Sequence, residues 1–259
     1  MRSLDPRFLD VVSPVRVALS HSAIDLPIVY RDVEALTAFF PFPVRNAVNA
    51  LPAGSGLVPV LAWRGHAVLV LACFDYKDSG VGSYGEVAIA ILASTRRLPP
   101  LVPALIERYL ENVGLYVVHL PVTTELAYRA GRELWNYPKF VADICFRTEG
   151  DRRVCELSEG GRSILTLSVA SRGARHYEAR PFRTFTVRDG KLLRTVVPMQ
   201  SEFRLSRGRG AAVLTTGDHS VGRELAALEP GRFVLEARHV LRMQSILPAA
   251  DRVWPMPRP

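Results

Sequence analysis

The chain has 259 residues, a formal net charge of +8 and 48% hydrophobic against 22% charged residues, ordinary values for a soluble globular protein able to bury a substantial core. Its three cysteines, Cys73, Cys145 and Cys155, are odd in number, lack metal-ligand spacing and lie in apolar or alternating runs. That argues against a disulfide framework or a zinc site and for buried, reduced thiols.

In chain order, the opening MRSLDPRFLDVVSPVRVALS lacks the continuous apolar h-region of a signal peptide. Residues 28–43, IVYRDVEALTAFFPFP, read as a strand and then a helix, with Asp32 as N-cap and Pro41 and Pro43 ending the helix. The most apolar stretch, 57–75, is broken by Arg64, Gly65 and His66, so it reads as two strands (57–63 and 67–75) joined by a tight turn and not as a membrane span. YKDSGVGSYG (76–85) is rich in turn residues and predicts a loop, and EVAIAILAS predicts a third strand. Residues 96–114 form a Pro-rich connection leading into a short helix. LYVVHLPV (115–122) is a strand, and TTELAYRAGREL is a helix of three turns that Pro138 cannot continue. Beyond residue 139 strands dominate: 139–147, 152–159, 163–170, 182–199, 202–216 and 232–243, with RDGK (188–191) a hairpin signal and one helix at SVGRELAALE. No linker, composition shift or repeat divides the chain. The expectation is one α+β domain over 1–259, its sheet closed or strongly curved, in a soluble cytoplasmic protein.

The arginines alternate with apolar residues along the chain and concentrate only in 171–183 and 204–210, with no nucleic-acid motif around them. They are a solvated basic face, or they flank a pocket for an anionic substrate such as a carboxylate. Neither a nucleic acid nor a membrane is expected as a partner.

Of the 33 basic residues only Lys77, Lys139 and Lys191 are lysines, leaving 33 − 3 = 30 arginines. The distinction matters because guanidinium keeps its proton in a protein, whereas an amine can lose one, and only a neutral amine attacks a carbonyl. Lys77 and Lys191 sit in polar, turn-like contexts. Lys139 instead sits in LWNYPKFVADICF, among Trp135, Tyr137, Phe140, Val141 and Ile144, where desolvation disfavours an ammonium. The alternative is that Lys139 opens an edge strand and snorkels to water. Glu86 stands at the mouth of a strand, either as an arginine's ion-pair partner or as a general acid/base with its carboxyl among apolar walls. Tyr137 and Tyr84 are candidate hydrogen-bond donors or packing residues, and Arg132 with Glu133 reads as a structural ion pair at a helix end. The six histidines show no ligand spacing, so no metal is expected, and no Gly-rich loop has the context of a phosphate site.

GREL followed closely by YPK resembles the active-site segment of acetoacetate decarboxylases, in which the lysine forms a Schiff base after activation by desolvation or a cationic neighbour. GVGSYGEVAIAI (80–91) is similar to that family's glycine–aromatic–x–Glu segment, and IVYRDVEAL, more weakly, to its first strand–helix passage. The likeness spans roughly positions 25 to 145, with an insertion around 97–113. It departs at Phe140, where the family has a second lysine, and at Ala23 and Leu71, where ungapped extension places an arginine and a glutamate. The resemblance implies an α+β domain on a curved, barrel-like, mostly antiparallel or mixed sheet with a few peripheral helices. It implies a homo-oligomeric, cofactor-free lyase that decarboxylates a small-molecule keto acid through an imine on Lys139, with Glu86 moving the proton and Tyr137, Tyr84, Trp135, Phe140 and Leu71 lining the substrate. Two alternatives stand beside it. One is a Schiff-base aldolase, dehydratase or hydrolase acting on a larger biosynthetic keto acid; the other is a non-catalytic barrel that binds apolar ligands.

Overall fold

A computed structural model describes residues 4–98 and 111–256. Three helices occur among them: α1 (Val44–Ala50), α2 (Glu125–Trp135) and α3 (Ser220–Ala227). The strands open with the hairpin β1 (Val15–Ala18) and β2 (Ala23–Leu26), followed by β3 (Ile28–Pro43), β4 (Val58–Pro59), β5 (Leu61–Trp63), β6 (His66–Ser79), β7 (Tyr84–Ser94) and β8 (Val113–His119). A second group comprises β9 (Asp143–Glu149), β10 (Arg152–Glu159) and β11 (Arg162–Ala170). The rest are β12 (Arg175–Ala179), β13 (Phe182–Arg188), β14 (Lys191–Val197), β15 (Met199–Gly208), β16 (Ala212–Thr216), β17 (Val234–Leu247) and β18 (Arg252–Pro255).

A twelve-stranded sheet runs β12-β15-β17-β3-β6-β7-β8-β13-β14-β18, with β4 and β5 attached to β7 and β6. Every pairing in it is antiparallel except that of β8 with β13, so the sheet is mixed. Among the described residues its ladder begins on β12 and ends on β18 without joining, so the sheet, expected to be closed or strongly curved, does not close into a barrel. A four-stranded sheet, β16-β11-β10-β9, packs on one face. Leu36, Phe40, Leu69 and Ile89 of the large sheet meet Leu157 and Leu165 of the small one in a fully apolar core.

Because the large sheet is covered on both faces, its central strands are apolar at nearly every position. Along β6, Leu69, Leu71 and Cys73 face the small sheet, while Val68, Val70, Ala72 and Tyr76 face the other way into two further clusters. The same alternation in β7 sends Val87, Ile89 and Ile91 to the small sheet and Glu86, Ala88 and Ala90 to the opposite side. This second face carries the candidate site.

Three expectations need correction. Residues 28–43 are one sixteen-residue strand and not a strand with a helix, because a strand buried on both faces has the same continuous apolar run as a buried helix. Its prolines fit because β17 pairs only as far as Phe39, so Pro41 and Pro43 need no donor on that side; the helix follows them, with Pro43 as its N-cap. The stretch 76–85 is mostly ladder, since β6 reaches Ser79 and β7 starts at Tyr84, leaving a turn closed by Ser79 Oγ, which accepts from Val81 N–H and donates to Gly82 O. Cys145 is exposed on β9, while Cys73 and Cys155 are buried as expected. Most of the helix expected within 96–114 lies outside the described residues. No helix among those described is long and apolar enough to cross a membrane.

Candidate active site

Lys139 lies in no strand: it follows the end of α2 in an irregular segment. Asn136 ends the helix in the left-handed conformation, at φ 52°, and its side chain donates to Val187 O at 2.6 Å. Asn tolerates that conformation better than most residues, and Pro138 two positions on forbids further helix. The chain then runs beside residues 120–122, which act as a strap. Leu120 N–H donates to Pro138 O, Val122 N–H to Phe140 O, and Ala142 N–H to Val122 O. On its other edge the strap bridges the start of β7, with Val122 opposite Glu86. Two ladder spacings, about 10 Å, therefore separate the backbones of Lys139 and Glu86. The long lysine side chain spans that gap.

Its Nζ lies 2.6 Å from Glu86 Oε2, in a pair whose side chains are 5% and 9% exposed. Glu86 Oε1 accepts from Tyr76 OH at 3.1 Å. Tyr30 and Tyr84 share a hydroxyl–hydroxyl contact of 3.1 Å, and Lys139 Nζ stands 5.7 Å from the Tyr84 ring centroid. Tyr137 shares a 2.7 Å hydrogen bond with Thr184. Burial first, and then the Glu86 charge, hold the Tyr76 and Tyr84 hydroxyls well above their usual range. Burial likewise raises Tyr30 and Tyr137. All four stay protonated at neutral pH and remain available as donors.

These groups enclose a cavity of about 80 Å³ whose other walls, apart from Ser245, are apolar, among them Ala88, Val117 and Ala130. Helix α2 forms one wall and sets the space for the lysine. A Cβ on Gly131 would meet Lys139 Cε at 2.4 Å and Cδ at 2.5 Å, so a larger residue there would have to push the lysine side chain from its place beside Glu86. Trp135 anchors the helix end, donating from Nε1 to Pro248 O at 2.9 Å and accepting at its carbonyl from Thr186 Oγ1 at 2.7 Å.

The structure thus brings together Lys139, Glu86, Tyr84, Tyr137 and Trp135 around one cavity. It separates Phe140 and Leu71 from them. Leu71 sits on the β6 face that meets the small sheet, and Phe140, one residue past Lys139, packs against that same core. In both cases strand-like alternation directs the side chain away from the cavity. Lys139 is enclosed and does not snorkel from an edge strand. Glu133 does not pair with Arg132, its neighbour around the helix; its carboxylate accepts from Ser20 N–H at 2.8 Å and Ser20 Oγ–H at 2.6 Å. Sequence reasoning missed Tyr30, Tyr76 and Gly131. Gly131 is the glycine of GREL, so the motif contained the signal; the two tyrosines carried none. Among the described residues, no group of three or more His, Cys, Asp or Glu is arranged to hold a metal ion.

The acetoacetate decarboxylase family model matches residues 13–249, a span that takes in every residue of this cavity. The chain belongs to the acetoacetate decarboxylase family. Solved structures agree in fold at low identity. One is the acetoacetate decarboxylase of Legionella pneumophila subsp. pneumophila, at a TM-score of 0.63 and 14% identity, with 96% of each chain covered. Another acetoacetate decarboxylase gives 0.61 at 18% identity, covering 88% of this chain and 89% of that one. The enduracididine biosynthesis enzyme MppR, solved with pyruvate, gives 0.61 at 17% identity, covering 93% and 98%. The search of curated proteins found no matching relative. Membership places the chain among acetoacetate decarboxylase-like proteins whose members include enzymes.

Proposed function

We propose that this protein is a cofactor-free lyase that decarboxylates a β-keto acid through an imine on Lys139. The observation that carries the proposal is the 2.6 Å contact of Lys139 Nζ with Glu86 Oε2 inside a largely apolar cavity. Glu86 takes a proton from the ammonium, and the neutral amine adds to the substrate ketone. Loss of water from the carbinolamine leaves a protonated imine. The C–C bond to the carboxylate breaks, carbon dioxide departs, and the electron pair moves to the imine nitrogen as an enamine. Glu86, having returned its first proton to the departing water, takes up another from solvent and delivers it to the enamine carbon, which regenerates the imine, and water hydrolyses that to the ketone product and the free lysine. Tyr76 holds the carboxylate that moves these protons.

Borohydride reduction tests this reading. Incubation with acetoacetate, pyruvate and longer keto acids, followed by borohydride, should leave a mass adduct on the Lys139 peptide that is absent in Lys139→Ala. Carbon dioxide release from the best-trapped acid separates decarboxylation from an aldol or dehydration reaction on the same imine. Absence of an adduct with every acid, alongside ligand binding indifferent to Lys139→Ala, would favour a non-catalytic binder.

A further inference from the structure

On the same face of the large sheet lies a second cavity of about 500 Å³. Its walls continue the strands of the first. Thr37 and Phe39 of β3, Val68 and Val70 of β6 and Leu92 of β7 line it further along the same pleats. Five residues line both cavities: Ala72, Phe74, Leu115, Phe182 and Met243. The two cavities therefore adjoin, with these side chains between them.

We propose that the larger compartment receives the body of the substrate, so that the keto acid acted on at Lys139 carries an extended apolar chain or ring system beyond its ketone. This rests on the imine reading and names its substrate class. The compartment at Lys139, about 80 Å³, has room for roughly half a dozen water-sized groups, enough for a carboxylate, a ketone and the carbons between them. The adjoining 500 Å³ falls within the range of sites built for organic ligands, roughly 300–1,000 Å³, and far exceeds what a four-carbon acid fills. Val68, Val70, Leu92 and Val113 form a hydrocarbon wall on one side, which rewards length and not polarity.

Charged residues also line the compartment, where Arg238 pairs with Glu178 and Glu236, and Arg207 with Glu236.

The test is a chain-length series of 3-oxo acids from four to ten carbons on the unaltered protein, read as borohydride-trapped adduct at limiting concentration. Each added methylene should raise trapping about fourfold until the compartment is full, the gain expected for burying one such group. Val70→Trp, which fills the larger compartment, should flatten the series. Trapping that is flat or falls with length, while pyruvate or acetoacetate is still captured, would overturn the substrate class and leave the imine reading standing. If no keto acid is trapped, the imine reading fails, and calorimetry with decanoate decides the compartment's role. Decanoate binding weakened at least tenfold by Val70→Trp, in a variant whose circular dichroism is unchanged, supports an apolar-chain site; no binding to the unaltered protein overturns it.

Discussion

Gly131 and Lys139 occupy complementary space: a Cβ on the helix residue would stand 2.4 Å from the lysine Cε. Glycine inside a helix normally costs about 1 kcal/mol relative to alanine. Here the missing methyl group is the channel through which the lysine side chain reaches Glu86.

Gly131→Ala should therefore reverse the usual sign. In place of a gain from helix propensity, the variant should lose about 1–3 kcal/mol in urea unfolding, the range for overpacking a rigid interior. Displacing the amine by an ångström should also lower keto-acid trapping about 100-fold. A variant more stable than the parent, with trapping intact, would show that the lysine has another route.

The buried pair should behave as a unit. Removing one partner, by Lys139→Met or Glu86→Gln, strands or uncouples the other, and loss of one member of a buried ion pair costs about 3–5 kcal/mol. The double variant should be more stable than the sum of the two losses predicts, because neither charge remains to be buried. A double-mutant cycle in urea measures the coupling, and simple additivity within about 0.5 kcal/mol would deny it.

Acid stability should report on a second network, at the junction of the two sheets. Glu34 accepts from His239 at 3.0 Å, from Arg153 at 2.7 Å and from Lys77 at 3.0 Å, while His239 also contacts Ser171. The His239 hydrogen bond, more than any other influence, lowers the Glu34 carboxyl from its ordinary 4.5 to about 2. A carboxyl depressed in the folded state adds stability that is complete above pH 4.5 and is lost as the pH falls toward 2. Allowing for solvent screening, that is about 1–2 kcal/mol. Unfolding free energy should therefore decline over this window in the parent, and Glu34→Gln should remove that part of the slope.

Thiol labelling should distinguish the three cysteines. Cys145 is exposed on β9 and should react with an aromatic disulfide reagent in the native protein. Cys73 and Cys155 are fully buried, and the Cys73 contact, followed by burial, holds the Cys155 thiol well above its usual range. One equivalent of reagent should be consumed under native conditions and three after denaturation. Rapid native labelling of more than one would mean that the core between the sheets opens readily.

Much of the candidate site was legible in particular residues. Lys139 stood out as an amine in an apolar setting in a chain otherwise given over to arginine, and GREL with YPK placed it in a recognisable segment. Glu86 followed from the second motif. The RDGK hairpin appears where its turn residues put it: Asp189 and Gly190, with φ of 50° and 65°, join β13 to β14. These features are local, because a turn's backbone angles and a helix stop are set by the residues that carry them.

What the tertiary structure alone decided is what meets what across long separations. Residues 28–43 are one strand because β17 and β6 flank them, and no local signal announces partners some forty and two hundred positions away. Alternation predicts that Leu71 and Ala72, or Lys139 and Phe140, face opposite ways; it does not say which face is the cavity. That depended on the small sheet covering one side and α2 the other. Tyr30 and Tyr76 became part of the site only when β3 and β6 paired, and Lys139 met Glu86 only because the strap at Val122 lies between their backbones. Backbone angles and side-chain chemistry belong to single residues and are written in the chain, whereas burial and contact belong to pairs brought together by folding.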